Sequence, residues 1–284
     1  MTTLAGAAVR GRYPRATPAR PIDAVAAAAH RRAVREPLPP GAPAGVPGPS
    51  PLYPFVVGWH AVVDVMSGVL ADNPGVAPTP VHLSQDVHLV RPLRGDELVY
   101  ATADLGGARR HGTGAQLAVR TWLHDRDGVV IASLTTGALL AGARRPEPFG
   151  EWPRPWSGRR SEPVATSSLA LPDDVALRYA EVSGDRNPLH LDAEQARAAG
   201  FDRPLAHGMC VLAVACEAVV DQCAGGDPSR VRGVGARFAR PVHPGDRLDV
   251  AIHATVDGRV PFAVTTAGRP ALKSAWIELR GGDA

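Results

Sequence analysis

Two long runs of apolar residues organise this chain. Residues 55–70 carry Val56, Val57, Val62, Val63, Val65 and Met66. Residues 209–223 are apolar on nearly every side, interrupted only by Glu217, Asp221 and Gln222. A helix with so little polar face is a buried one, so each run predicts a core helix. Shorter strand-like runs follow each helix: 81–90, 97–104, 114–124 and 129–140 in the first half, then 231–239, 247–255, 260–267 and 271–280 in the second. Asp125-Arg-Asp-Gly128 reads as a hairpin turn. Residues 22–34 are alanine-rich and helical by propensity. Residues 36–51 are a Pro/Gly-dense loop, and 1–20 are a strand or a tail.

The plan occurs twice. Arg91-Pro…Gly-Asp96 and Arg240-Pro…Gly-Asp246 occupy matching places, each between a helix-strand pair and three further strands. One long apolar helix for each antiparallel sheet is an α+β arrangement. A Pro/Arg-rich stretch at 142–163 separates the halves. The predicted division is a first domain at 1–145, a linker at 146–165 and a second domain at 166–284.

Titratable residues concentrate in Ser183-Gly-Asp-Arg-Asn-Pro-Leu-His190 and Ala206-His-Gly-Met209. Asp185 and His190 are five apart, a spacing that would put them on different faces of a helix. Pro188 disfavours helix at Asn187, and Asn-Pro initiates turns. A loop that folds back and points Asp185 and His190 at one spot is therefore expected. Gly208 opens the second apolar helix. First-turn amides have no intrahelical acceptor, the macrodipole is positive there, and glycine lets a carbonyl approach.

Together with Gly200-Phe201 and Pro204, these motifs closely resemble the hydratase-2 signature of the MaoC-like enzymes. The resemblance covers roughly the second half of the chain. It implies a double hotdog fold and the reversible hydration of trans-2-enoyl thioesters to (3R)-3-hydroxyacyl thioesters. It also implies roles. Asp185 and His190 would share a catalytic water. The Gly208 amide would bind the oxyanion. Ser183, Asn187 and His207 would support the site, with Asn187 bracing the loop and His207 either a structural hydrogen bonder or a site residue. Met209, Arg203 and Arg237 are candidates for substrate contact, the two arginines for the phosphates of CoA or an acyl carrier. Arg186 departs from the aliphatic or aromatic residue common in its slot. The first half has Ala28-Ala-His-Arg-Arg-Ala-Val-Arg35 where the second has the Asp…His motif, and Leu52-Tyr-Pro-Phe55 where the second has Ala-His-Gly-Met. One active site per chain is expected, with the first half a degenerate partner. Two rival readings are a MaoC-type hydratase of a short polar or dicarboxylic acyl-CoA and a thioester-binding module without catalysis.

Composition changes this picture little. The 284 residues are 45% hydrophobic, enough for a core, and the formal net charge is +3. The arginines are scattered, which argues against a nucleic-acid partner and suits an acidic thioester carrier. Arg91 and Arg240, which precede turns, are expected to brace the fold rather than bind phosphate. Cys210, Cys216 and Cys223 lie on one predicted helix without CxxC spacing and are expected as buried reduced thiols. His60, His82, His88, His243 and His253 lack metal-ligand spacing, so no metal site is expected. The chemistry requires no cofactor beyond the CoA or phosphopantetheine of the substrate. No stretch approaches the length of a membrane helix on this reading, and the Met1–Arg20 segment lacks the long apolar run of a secretory signal. A cytoplasmic protein without membrane insertion, either a monomer with an internal pseudo-dimer or a homodimer, is the expectation.

Overall fold

The computed structural model describes residues 11–39, 45–72, 79–143, 146–158 and 160–281. In chain order its elements are β1 (Arg12–Ala16), β2 (Arg20–Pro21), α1 (Ala24–Arg35), α2 (Tyr53–Ala71), β3 (Thr79–Leu89), β4 (Leu98–His111), β5 (Gly114–Asp125), β6 (Val130–Ala141), β7 (Phe149–Gly150), β8 (Pro163–Ala170), α3 (Val175–Ser183), α4 (Pro188–Leu191), α5 (Ala193–Ala198), α6 (Gly208–Ala224), β9 (Val231–Phe238), β10 (Arg247–His253), β11 (Arg259–Thr266) and β12 (Arg269–Leu279). They form two compact units. One comprises 1–22 and 54–154, the other 23–53 and 155–284.

In the first unit, antiparallel pairing runs β1-β4-β5-β6-β3, and the short β2 and β7 also pair with β4. The turn at Asp125-Arg-Asp-Gly128 closes the β5–β6 hairpin. Asp125 Oδ1 accepts the Asp127 and Val129 amides, and Gly128 takes a φ of 81° that a side chain would resist. Helix α2 lies on this sheet. A Cβ at Gly58 would sit 3.0 Å from Thr121 of β5, and the Phe55 ring stacks on His82 of β3 at 5.6 Å. With 19 residues, α2 is long and apolar enough to cross a membrane, which corrects the sequence expectation that no stretch was. Gly58 lets it approach β5 closely, and 39% of its apolar window is buried.

In the second unit the order is β9-β12-β11-β10-β8, again antiparallel throughout. Helix α6 packs on β9, β10 and β12. Its side chains from Met209 to Val220 are all buried, and it ends at Gly225 in the left-handed region, with the Gly226 amide returning to the Val220 carbonyl. Each unit is thus an antiparallel sheet with a long apolar helix, as the sequence predicted.

The division of the chain differs from the expected one in two places. Residues 23–53 belong to the second unit, not to the first domain. Charged contacts tie α1 to α6. Glu217 of α6 is fully buried, and α1 supplies its counter-charges. Arg31 Nε lies 3.1 Å from one carboxylate oxygen and Arg35 Nη1 lies 2.8 Å from the same one. Arg35 also pairs with Asp221 at 2.9 Å. The remaining Arg31 donors bind the carbonyls of Val46 and Gly226. The stretch Ala28–Arg35 is therefore part of this helix rather than a first-half counterpart of the Asp…His motif. The predicted linker is also partly built structure. Phe149 and Gly150 add to β4, the Arg12 and Arg109 guanidiniums cover Phe149 and Trp152, and residues 163–165 begin β8.

Candidate active site

The site grows from a run of local hydrogen bonds between α3 and α4. Helix α3 carries Val175, Ala176, Tyr179, Ala180 and Ser183 inward. It stops at Gly184, whose φ of 74° lies in the left-handed region. The next three polar residues then fold the chain back on itself. The Asp185 amide donates to Ser183 Oγ at 3.2 Å, the Asn187 amide to Asp185 Oδ1 at 3.1 Å, and the Leu189 amide to Asn187 Oδ1 at 3.1 Å. That last bond, with Pro188 at the first helical position, starts the single turn α4. The fold-back expected between Asp185 and His190 is present, except that His190 sits in this short turn of helix rather than in open loop.

Ser183 and Asn187 thus act on the backbone, and Asn187 is a brace. His190 Nδ1 lies 3.0 Å from the Leu205 carbonyl. A carbonyl only accepts, so Nδ1 carries the hydrogen and Nε2 keeps a bare lone pair. His207 Nε2 lies 3.0 Å from the Asp185 carbonyl, which by the same reasoning leaves Nδ1 bare. The His190 and His207 rings stack with centroids 3.8 Å apart. One ligating atom from each of Asp185, His190 and His207 lies within 4.8 Å of the others. His207 is therefore part of the cluster and also the residue that caps the entry to α6.

Burial sets the proton affinities. Loss of solvent raises the Asp185 carboxyl above its ordinary value, against the pull of the His190 charge and the Asn187 amide. The same desolvation lowers His190, opposed by the Asp185 charge and the Leu205 carbonyl. His207 is lowered to about 3, first by burial and then by the neighbouring His190. Both imidazoles are neutral near pH 7, and each presents a lone pair.

Gly208 is the first residue of α6, and the His207 side chain at the cap makes no hydrogen bond to the first-turn amides. A Cβ added there would lie 3.0 Å from the Phe238 ring. Cβ atoms tilt toward a helix N-terminus, so Phe238 borders the space into which the first amides point. Sequence reasoning missed Phe238, which carries no motif. It also missed Tyr179 as a neighbour of the site, where its ring lies 5.0 Å from His207. The i, i+4 spacing of Tyr179 and Ser183 was the available signal.

The substrate-contact candidates fare differently. Met209 is buried in the first turn of α6. Arg203 is bound to Asp246 at 2.8 Å and to the Pro244 carbonyl, so it braces the 240–246 turn. Arg237 lies opposite Lys273 in the β9–β12 ladder, one residue from Phe238. Successive strand residues alternate faces, so Arg237 lies on the face away from Gly208. Arg91 braces its own turn through Glu97 at 2.7 Å. Cys210 and Cys216 are buried, with burial pushing the Cys210 thiol up to about 12, while Cys223 is half-buried.

A hotdog-type unit with an Asp–His–His cluster beside the N-terminus of its buried helix is the class that this fold and site define. The family profile "MaoC like domain" matches residues 156–266. The chain is 33% identical over 198 residues to 3-hydroxyacyl-thioester dehydratase Y of Mycobacterium tuberculosis, a match covering 66% of each chain. Among solved structures, a MaoC-like dehydratase from Phytophthora capsici superposes with a TM-score of 0.79 at 21% identity over 97% of each chain. A Mycobacterium tuberculosis protein described as having a double hotdog fold superposes with a TM-score of 0.56 at 18% identity, over 93% of this chain and 94% of its own. Residues 156–266 are thus a MaoC-like domain, and the chain has the double hotdog fold. The chain spans 66% or less of the length of the curated relatives it matches first.

Proposed function

We propose that this chain is a hydro-lyase that interconverts trans-2-enoyl and (3R)-3-hydroxyacyl thioesters carried by CoA or an acyl carrier protein. The observation that carries the reading is the pairing of Asp185 with a His190 whose Nε2 is left bare. Two hydrogen bonds of about 2.8 Å let one water span acceptors up to roughly 5.6 Å apart, and the 4.8 Å limit of the cluster falls within that reach. In hydration the water oxygen bonds to C3. The Asp185–His190 pair takes one proton from the water and returns one to C2. Negative charge that develops on the thioester oxygen meets the Gly208 amide and the positive end of α6. Dehydration reverses each step. Ser183 and Asn187 hold the loop in register, and Met209 and Phe238 shape the space at the helix entrance.

Loss of the enoyl-thioester ultraviolet band with crotonyl-CoA and a longer trans-2-enoyl-CoA tests this reading. Asp185→Asn and His190→Ala should each lower turnover by about 10² or more. Turnover that survives both substitutions would remove the pair from the mechanism.

A further inference from the structure

We propose that Asp185, His190 and His207 together form a binding site for a divalent transition-metal ion, zinc above all, and that the ion inhibits the enzyme by displacing the water and substrate. The argument starts from the two tautomers. Each imidazole uses one nitrogen on a backbone carbonyl, His190 on Leu205 and His207 on Asp185, both at 3.0 Å. This is the outer hydrogen bond that orients histidines toward a metal and raises their basicity as ligands. Each ring then offers its other nitrogen as a lone pair. His207 Nδ1 is enclosed, on a residue only 1% exposed, and has no hydrogen-bond partner among the described residues. A buried acceptor without a donor is costly, and a cation would satisfy it.

Asp185 supplies the third donor and a negative charge. Its described side-chain bond, to the Asn187 amide, uses only Oδ1. Two imidazoles and one carboxylate suit zinc, and they leave a fourth position for water. Metal–nitrogen bonds of about 2.0–2.1 Å put tetrahedral donors roughly 3.3 Å apart. One ligand atom from each of the three residues lies within 4.8 Å of the others, so the donors must draw together, and the stacked His190 and His207 rings, 3.8 Å apart, must splay for both to face one ion. Occupancy would consume both the carboxylate oxygen and the His190 lone pair that hold the catalytic water. The binding claim stands apart from the hydratase reading, whereas the inhibition rests on it.

The test is a calorimetric titration of the full chain with Zn²⁺ in a non-chelating buffer near neutral pH, with Co²⁺ as a second probe read by visible absorption. We expect one ion per chain with micromolar affinity, and at least about tenfold weaker binding in each of Asp185→Asn and His190→Gln. Circular dichroism of both variants checks that they fold. Absence of one-to-one binding up to about 1 mM, or unchanged affinity in either folded variant, overturns the site. A variant that does not fold is replaced by Asp185→Ser or His190→Asn, read in the same way. These readouts need no turnover, so they decide the site even if the chain proves inactive on enoyl thioesters. Where it is active, added Zn²⁺ should abolish turnover and a chelator should restore it, and activity at saturating Zn²⁺ overturns the inhibition.

Discussion

At the scale of single residues, desolvation is the strongest influence on this site. His30 of α1 is fully buried between Tyr53 and Tyr179, with neither ring nitrogen hydrogen-bonded among the described residues, and burial lowers it to about 4. His207 is lowered to about 3. A histidine lowered on folding binds its proton more readily in the unfolded chain. Its contribution to stability is present above the unfolded value of 6.5 and is lost as pH falls through the folded value. Denaturant midpoints should thus drop steadily from pH 6.5 toward pH 3, and His30→Phe should flatten the upper part of that decline. Gly208 carries a second prediction. Gly208→Ala places a Cβ 3.0 Å from the Phe238 ring, so kcat should fall through displacement of the helix entrance. Phe238→Leu in the same chain should recover part of the loss.

At the scale of elements, the tie between α1 and α6 matters most. A buried ion pair adds little net stability, but removing one partner leaves an uncompensated charge. Arg31→Ala strips Glu217 of one of its two arginines and also removes a donor from the Val46 and Gly226 carbonyls. It should destabilise by about 3–5 kcal/mol, measured by urea unfolding, and Glu217→Gln should soften the loss when combined with it. The sequence showed α2, α6 and most strands because apolar periodicity is a local property. It showed the fold-back at Asp185 through Asn187 and Pro188, whose effects span two or three residues. It did not show the partnership of Arg31 with Glu217, because nothing near Arg31 distinguishes a buried guanidinium from a solvated one. Helix α3 and strand β8 escaped notice for a different reason. Each is short, and β8 (Pro163–Ala170) presents mostly polar or small side chains with little alternation. The absence of Arg203 from the site was equally hidden, since its partner Asp246 lies 43 positions away.

At the scale of the whole molecule, the second unit is made from two separated pieces of chain, 23–53 and 155–284. The family match covers only part of the later piece. A fragment of residues 155–284 therefore contains every named site residue, yet it lacks α1. Produced alone, it should fail to show a cooperative thermal transition, and a fragment of residues 23–53 added in trans should restore one. A fully cooperative transition in the isolated 155–284 fragment would show that α1 is dispensable. The same arrangement has a consequence in time. Arg31 precedes Glu217 by 186 residues. At synthesis rates of about 5–20 residues per second, roughly 9–37 s pass between their emergence from the ribosome. For that interval a nascent arginine-bearing helix must remain unfolded or be sheltered, and this protein's yield in a cell becomes a question of what keeps that segment company while it waits.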